Sequence, residues 1–283
     1  MKKKRTLLRS PRFMIGLSIL TLIVGFVLIY PLFNTADPMK MLALSFEKPG
    51  YVTFDGRTLI LGSDNFGRDV FLELVHGTRT SLLVGVIGGI VTLIVGLTIG
   101  LFAGFKGGLI DNILSSVTNM FIVIPSFIIL ILISMSLETK SIFVLSFIIG
   151  ITGWTWLARA VRGQASSLKN RDHVNIARIT GYGTVRLIVS EVLPYLASYA
   201  AMAFILSVAN SILQEASLSM LGLGPTNTVS LGTLLNWAIL FNAPAQRAWW
   251  AYVPSTAVIT LVTFSMYLMN SGMDEVFNPK IRS

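Results

Sequence analysis

The chain has no cysteine among its 283 residues. That excludes disulfides, thiolate metal sites, cysteine nucleophiles and thiol redox switching. Charge is scarce as well: Asp, Glu, Lys and Arg make up 12% of the residues, about half of the roughly 25% usual in soluble domains. A large water-facing surface cannot be covered at that density, which argues against a soluble globular enzyme. The only histidines are His76 and His173, and the apolar stretches between them place the two on opposite sides of a membrane, so no histidine pair can hold a metal. No G-x-x-x-x-G-K-[ST] run, no G-x-S-x-G elbow and no H-E-x-x-H pair occurs. Gly104-Phe105-Lys106-Gly107-Gly108 has glycines and a lysine, but in the wrong order for a phosphate loop. Asp64 and Asp69 are paired carboxylates, yet Arg68 and Arg79 are near enough to neutralise them, and a structural role fits better than acid–base catalysis. No catalytic, cofactor-binding or metal-ligating residue is expected in this chain.

What the chain has is apolar length: 53% hydrophobic residues and a mean hydropathy of +0.74. Six stretches are long enough to cross the ~30 Å hydrocarbon core: 13–33, 80–103, 113–137, 141–161, about 194–217, and 252–272. The expected fold class is therefore an all-α integral membrane protein with six transmembrane helices. The fifth span is unusually polar, with Ser198, Tyr199, Ser207, Asn210, Ser211, Gln214 and Glu215; such residues face protein or a water-filled cavity rather than lipid. Lys2, Lys3, Lys4, Arg5, Arg9 and Arg12 precede the first span, in the manner of a secretory signal. The apolar run is longer than a signal core and no small-residue cleavage site follows, so it reads as a retained helix.

Six spans put both termini on one side. With the N-terminus inside, the internal segments 1–12, 104–112, 158–193 and 273–283 carry 15 Lys and Arg, against 7 in the longer external segments 34–79, 138–140 and 218–251. The bias of basic residues sets orientation, and it places both termini in the cytoplasm. Counting acids as well leaves a net +10 inside and −1 outside, so the overall +9 is a matter of topology and not a footprint for nucleic acid.

Gly85, Gly89, Gly96, Gly100, Gly104 and Gly108 lie on the second span and its inner end, with four of the successive gaps being four residues. That pattern permits close backbone approach and reads as tight helix packing. Pro125, midway along the third span, removes a helical hydrogen bond and is expected to kink it. Residues 231–240 with Trp237, then Trp249 and Trp250, read as an external interfacial segment with belt aromatics. The one long internal polar segment is 163–192. There 165–180 reads as helix, Gly181 breaks it, and a short helix over 185–192 leads to Pro194 at the head of the fifth span, where a missing amide proton is tolerated. Composition alone leaves this either an ordinary basic loop or a lever held outside the membrane by two spans.

The order of residues adds a resemblance. Asn175-Ile176-Ala177-Arg178-Ile179-Thr180-Gly181, followed by Ile188 and Leu193-Pro194, resembles the E-A-A-x-x-x-G…I-x-L-P coupling motif of ABC importer permeases. Leu61-Gly62-Ser63-Asp64-Asn65-Phe66-Gly67-Arg68-Asp69-Val70 is similar to the L-G-T-D-x-x-G-R-D-V segment of the dipeptide/oligopeptide/nickel branch. So are the Gly107-Gly108-x-x-Asp111 turn, the Pro125-Ser126 step, the run from Gln214-Glu215-Ala216-Ser217 to Gly224, and the tail Asn278-Pro279-Lys280-Ile281-Arg282. On these motifs, in order from Leu7 to Arg282, the chain is identified as similar to the C-type permease of that branch. Asn175 and Ile176 depart from the Glu and Ala of the coupling motif, which removes a salt-bridging side chain from the helix, and Met220 stands where the family has Phe.

The resemblance implies a type I ABC importer permease fold with a cytoplasmic coupling helix. It divides the chain into 1–79 (tail, first helix and external segment), a core permease domain 80–272 containing the coupling loop 163–192, and a cytoplasmic tail 273–283. It implies a homologous second permease subunit, two cytosolic ATPase subunits that bind the ATP and Mg, an extracytoplasmic solute-binding protein, and a prokaryotic cell membrane. Asn175, Ile176, Ala177, Arg178 and Gly181 fall on the expected ATPase-coupling positions. Asn210, Gln214 and Glu215 are candidates for the translocation path, with pairing to the external loop the competing role for Glu215. Di- or oligopeptides are the expected cargo, with oligosaccharides or nickel chelates as alternatives. An ion-coupled secondary transporter is the rival of another class; it calls for charged or broken-helix sites in the midplane and an internal repeat, and the sequence displays neither.

Overall fold

The computed structural model describes residue 7, residues 10–138 and residues 140–277. Lys2, Lys3, Lys4, Arg5, Arg9 and the Asn278–Arg282 tail motif lie outside the described residues. Within them the chain is helical, with two isolated β-bridges and no strand.

Helix α1 (Pro11–Phe33) begins where the Ser10 hydroxyl accepts from the Phe13 amide and Pro11 occupies the first turn, whose missing amide proton costs nothing there. It crosses to the opposite face and packs along α11 (Val253–Phe277) on the return. Helix α2 (Val70–Lys106) is the axis of the bundle, against which α5 (Ile142–Gly153), α6 (Thr155–Leu168) and α9 (Leu193–Met220) all pack. The glycines make this possible. A Cβ on Gly89 would stand 2.6 Å from Val208 of α9, one on Gly96 2.8 Å from Leu157 of α6, and one on Gly100 2.6 Å from the Ala158 carbonyl. Such distances leave no room for a side chain, so backbones meet directly.

Several boundaries differ from the sequence expectation. Asp69 accepts from the Phe71 and Leu72 amides and caps α2, so the helix starts ten residues ahead of the expected span, and the division at residue 79 falls inside it. At 37 residues, α2 is about 55 Å long and outreaches the apolar core. The third span is broken as Pro125 requires. Ile124, the residue before proline, is extended, and α3 (Gly108–Val123) meets α4 (Ser126–Met135) at 79°. The fourth span is broken too, between α5 and α6 at Trp154, with a 47° bend. Two helices are therefore interrupted near mid-span: the break at Pro125 falls at the expected kink, and the one at Trp154 departs from the expected continuous span. Among the described residues, four helices are long and apolar enough to cross a membrane, or six if each bent pair counts as one.

The polar segment differs in detail. The expected helix over 165–180 is divided: α6 stops at Leu168, and α7 (Asp172–Ile179) follows after a turn. The fifth span does not begin at Pro194. It runs from α8 (Thr184–Leu187) through a π turn (Ile188–Val192) into α9. The Leu193 amide donates to the Ile188 carbonyl, five residues back. Pro194 cannot donate to Ser190 and its ring would crowd that carbonyl; the widened turn absorbs both, so the helix continues.

Residues 34–69 form an irregular cap opposite the α1 N-terminus. Ser63 organises it: its hydroxyl donates to Leu44 O (2.7 Å) and accepts from the Glu47 amide (2.7 Å), while its carbonyl accepts from Trp250 Nε1 (3.1 Å). Short helix α10 (Leu231–Leu240), started by a Ser230/Thr233 capping box, lies under this cap. Phe66 stands edge-on to Trp237, and Arg68 covers the Phe66 ring at 4.3 Å.

Candidate functional site

Two regions gather the residues singled out in the sequence, one at the basic end of the bundle and one at its middle. At the basic end, α7 lies across the bundle on Val174 and Ala177, which are buried against Leu168, Leu187, Ile188 and Val192. Its other side is open, with Ile176 63% and Ile179 86% exposed beside the exposed Asp172 and Arg178. Gly181 fixes where it ends. With φ at +90° it donates to Arg178 O, and Tyr182 donates to Ala177 O. This 6→1 and 5→2 pair is a Schellman stop, which favours glycine at that position. Asn175, where the resembling motif has Glu, donates to Asn170 O (3.2 Å) and accepts from Arg178 (3.1 Å). The Asn175 amide thus ties α7 to the preceding turn, together with the Arg178 contact to Lys169 O (3.4 Å). His173 stacks on Tyr195 at 4.5 Å, joining α7 to the head of α9. On the same face Arg162 of α6 grips Asp111 of α3 with two bonds, 2.5 and 2.9 Å.

In the middle, the two helix breaks and the polar stripe of α9 enclose a cavity of about 210 Å³. Ser126 begins α4 there, Thr155 and Trp156 begin α6, and Ser207, Asn210 and Gln214 line it from α9. Thr92 of α2, Thr152 of α5 and Ser211 of α9 complete its polar wall, and among the described residues no charged side chain lines it. Asn210 also accepts from the Tyr267 hydroxyl at 3.4 Å. Two of the three expected path residues, Asn210 and Gln214, are thus brought together.

Glu215 is elsewhere. It is fully buried, its Oε2 accepting from Ser81 Oγ (2.7 Å) and its Oε1 from Ser219 Oγ (2.6 Å). Ser81 Oγ accepts in turn from the Leu231 amide (3.2 Å). One carboxylate therefore locks α9 to α2 and to the first turn of α10. Sequence reasoning named Ser207 only within the polar set of the fifth span and Ser126 only in the Pro125-Ser126 step, and it missed Thr152, because single hydroxyls in apolar spans usually satisfy themselves on their own helix.

The cap carboxylates are structural. Asp64 Oδ1 accepts from the Phe66 and Arg68 amides, both at 2.8 Å, and burial raises both Asp64 and Asp69 from the ordinary aspartate value. Arg68 also approaches the buried Glu73 carboxylate at 3.6 Å.

Residues 96–283 match the family described as binding-protein-dependent transport system inner membrane component. The chain is 30% identical over 270 residues to the oligopeptide transport system permease protein OppC of Bacillus subtilis (strain 168), with 95% of this chain and 86% of that protein covered. It is 31% identical over 225 residues to OppC of Mycobacterium tuberculosis (strain ATCC 25618 / H37Rv), covering 79% and 76%. Against the dipeptide transport system permease protein DppC of Haemophilus influenzae it is 27% identical over 271 residues, covering 95% and 90%.

Proposed function

Because the chain belongs to the family of binding-protein-dependent transport system inner membrane components, we propose that it is a permease subunit of an ATP-driven peptide importer. In this reading it forms half of a translocation path, beside a homologous second permease, for di- or oligopeptides handed over by an extracytoplasmic binding protein. ATP and Mg are bound by two cytosolic ATPase partners, and the chain itself is mechanical rather than catalytic. Its basic end faces the cytoplasm, as the distribution of Lys and Arg favours.

The observation that carries the reading is α7: a short helix anchored by Val174 and Ala177, stopped by Gly181, and presenting Ile176 and Ile179 outward. Exposed isoleucines on a basic face need an apolar partner in water, and a groove on an ATPase subunit supplies one. From α7 the chain passes through Gly181 and Gly183 into α8 and on to α9, which lines the central cavity. Drawing the ATPases together thus moves a cavity-lining helix. ATP favours the outward-open state only to the extent that it binds that state more tightly.

Gly181→Pro is the test. Proline holds φ near −65°, whereas this turn needs +90°. The variant should insert and assemble normally but lose at least about tenfold of solute-stimulated ATP hydrolysis, about 1.4 kcal/mol of coupling. Wild-type uptake in proteoliposomes would overturn the assignment. Binding of peptides to the cognate binding protein checks the cargo separately.

A further inference from the structure

The central cavity holds a combination that helix packing alone does not require. Helices α4 (10 residues) and α6 (14 residues) both start at its wall, and neither has a side-chain cap. First-turn amides there carry the partial positive charge of a helix N-terminus, and two such ends share one cavity. Beside them Ser207 is 2% exposed, yet its Oγ has no hydrogen-bond partner; the buried Gln214 Oε1 has none either. Thr78, Thr98, Thr118, Ser146, Ser217 and Thr263 each donate to the carbonyl four residues back, and Ser207 does not. The hydroxyls of Ser134, Thr228 and Ser255 are also buried without a partner, but of these four only Ser207 lines the cavity. A buried hydroxyl left unsatisfied costs free energy unless something arrives to pair with it. Ser207 lines a cavity large enough for several non-hydrogen atoms, so a ligand can pair with it.

We propose that this cavity is a carboxylate-binding transit site, in which the α4 and α6 N-termini hold the C-terminal carboxylate of a passing peptide and Ser207 donates to it. The peptide part of this inference rests on the permease reading above; the carboxylate part rests on the cavity. The site's chemistry also suits passage. Helix ends and neutral hydroxyls and amides attract an anion without the tight grip of a buried arginine, so the ligand can leave again. Gln214 and Asn210, each with an acceptor and a donor, are placed to follow the peptide backbone behind the carboxylate and to be indifferent to side-chain identity.

The absence of cysteine from the chain makes the test direct. Ser207→Cys, and separately Gln214→Cys as a second reporter, introduces the chain's only thiol. The full importer is treated with anionic sulfonatoethyl and cationic trimethylammonioethyl methanethiosulfonate, in nucleotide-free and vanadate-trapped states, and modification of this chain is followed by mass. The anionic-to-cationic rate ratio should exceed that of a free thiol in solution by about tenfold, the size expected from two helix ends acting on a partly buried anion. Trialanine should protect the thiol and trialanine amide should not. A ratio equal to or below that of the free thiol, or no modification of either variant in either state, would overturn the site. Protection by acetate as strong as by trialanine supports the carboxylate site while counting against peptide cargo, so the two readings fail separately.

Discussion

Glu215 offers a measurable test of how the bundle is closed opposite the basic end. Its carboxylate accepts from Ser81 at 2.7 Å and Ser219 at 2.6 Å, and Ser81 passes the constraint to the Leu231 amide at 3.2 Å. A hydrogen bond to a charged acceptor is worth about 1.5–3 kcal/mol, so Glu215→Ala removes roughly 3–6 kcal/mol of gross interaction. Part returns, because both serine hydroxyls can turn to the carbonyl four residues back on their own helices. A net loss of about 2–4 kcal/mol is expected for Glu215→Ala, and about 1 kcal/mol for Glu215→Gln, which keeps the shape and one acceptor. Thermal unfolding of the purified complex in detergent should rank wild type above Gln and Gln above Ala. Ser81→Ala combined with Glu215→Ala should be less damaging than the two effects summed, with a coupling of about 1–2 kcal/mol. Ser81→Ala should also speed hydrogen exchange at the Leu231 amide. Additive losses, or an Ala variant as stable as wild type, would refute the three-helix lock.

Two further outcomes follow from the packing and the cap. Gly100→Ala places a methyl 2.6 Å from the Ala158 carbonyl, whereas Gly25→Ala meets nothing within 4 Å. The first should destabilise by about 1–3 kcal/mol through overpacking and the second should stabilise by up to about 1 kcal/mol through helix propensity; melting shifts of the same sign for both would contradict the close-packed account of α2. For Asp64, burial raises the carboxyl above its ordinary value of 3.8 despite the amide bonds from Arg68 and Phe66. Between the unfolded value and the higher folded one, the folded chain holds more protons than the unfolded chain, so this group's contribution to stability falls as pH rises through that window. Limited proteolysis of the cap between pH 4 and 7 should show a weaker loss of protection with rising pH in Asp64→Asn than in wild type, and an unchanged slope would remove Asp64 as its source.

Hydropathy made the apolar spans legible, because each crossing must satisfy its backbone internally and shed charge. Pro125 announced its own break through a local rule. The break at Trp154 had no such mark: Gly150 sits where a Cβ would stand 2.5 Å from Val91, and its carbonyl is taken by Thr92 at 3.1 Å, both contacts with a helix some 60 residues away. Pro194 misled for a related reason, since the π turn before it keeps the helix intact where the proline rule alone predicts a start. The cap over 34–69 has no hydrophobic period to read, being organised by single residues such as Ser63. Asn210 and Gln214 stood out as amides in an apolar run, whereas Ser207 was one hydroxyl among several there, and its missing bond is visible only once its neighbours are placed.

The unbroken helix from Thr184 to Met220 has a geometric consequence. At 37 residues it is about 55 Å long, with Ser207 and Asn210 nearer its far end and Thr184 beside the α7 stop. Moved as one body, a helix of that length pivots. A tilt of about 10° about its mid-length displaces each tip by about 5 Å, in opposite directions. Whatever is pulled inward at Thr184 is therefore pushed outward near Glu215, and the two ends of the bundle are geared to one another before any second element moves.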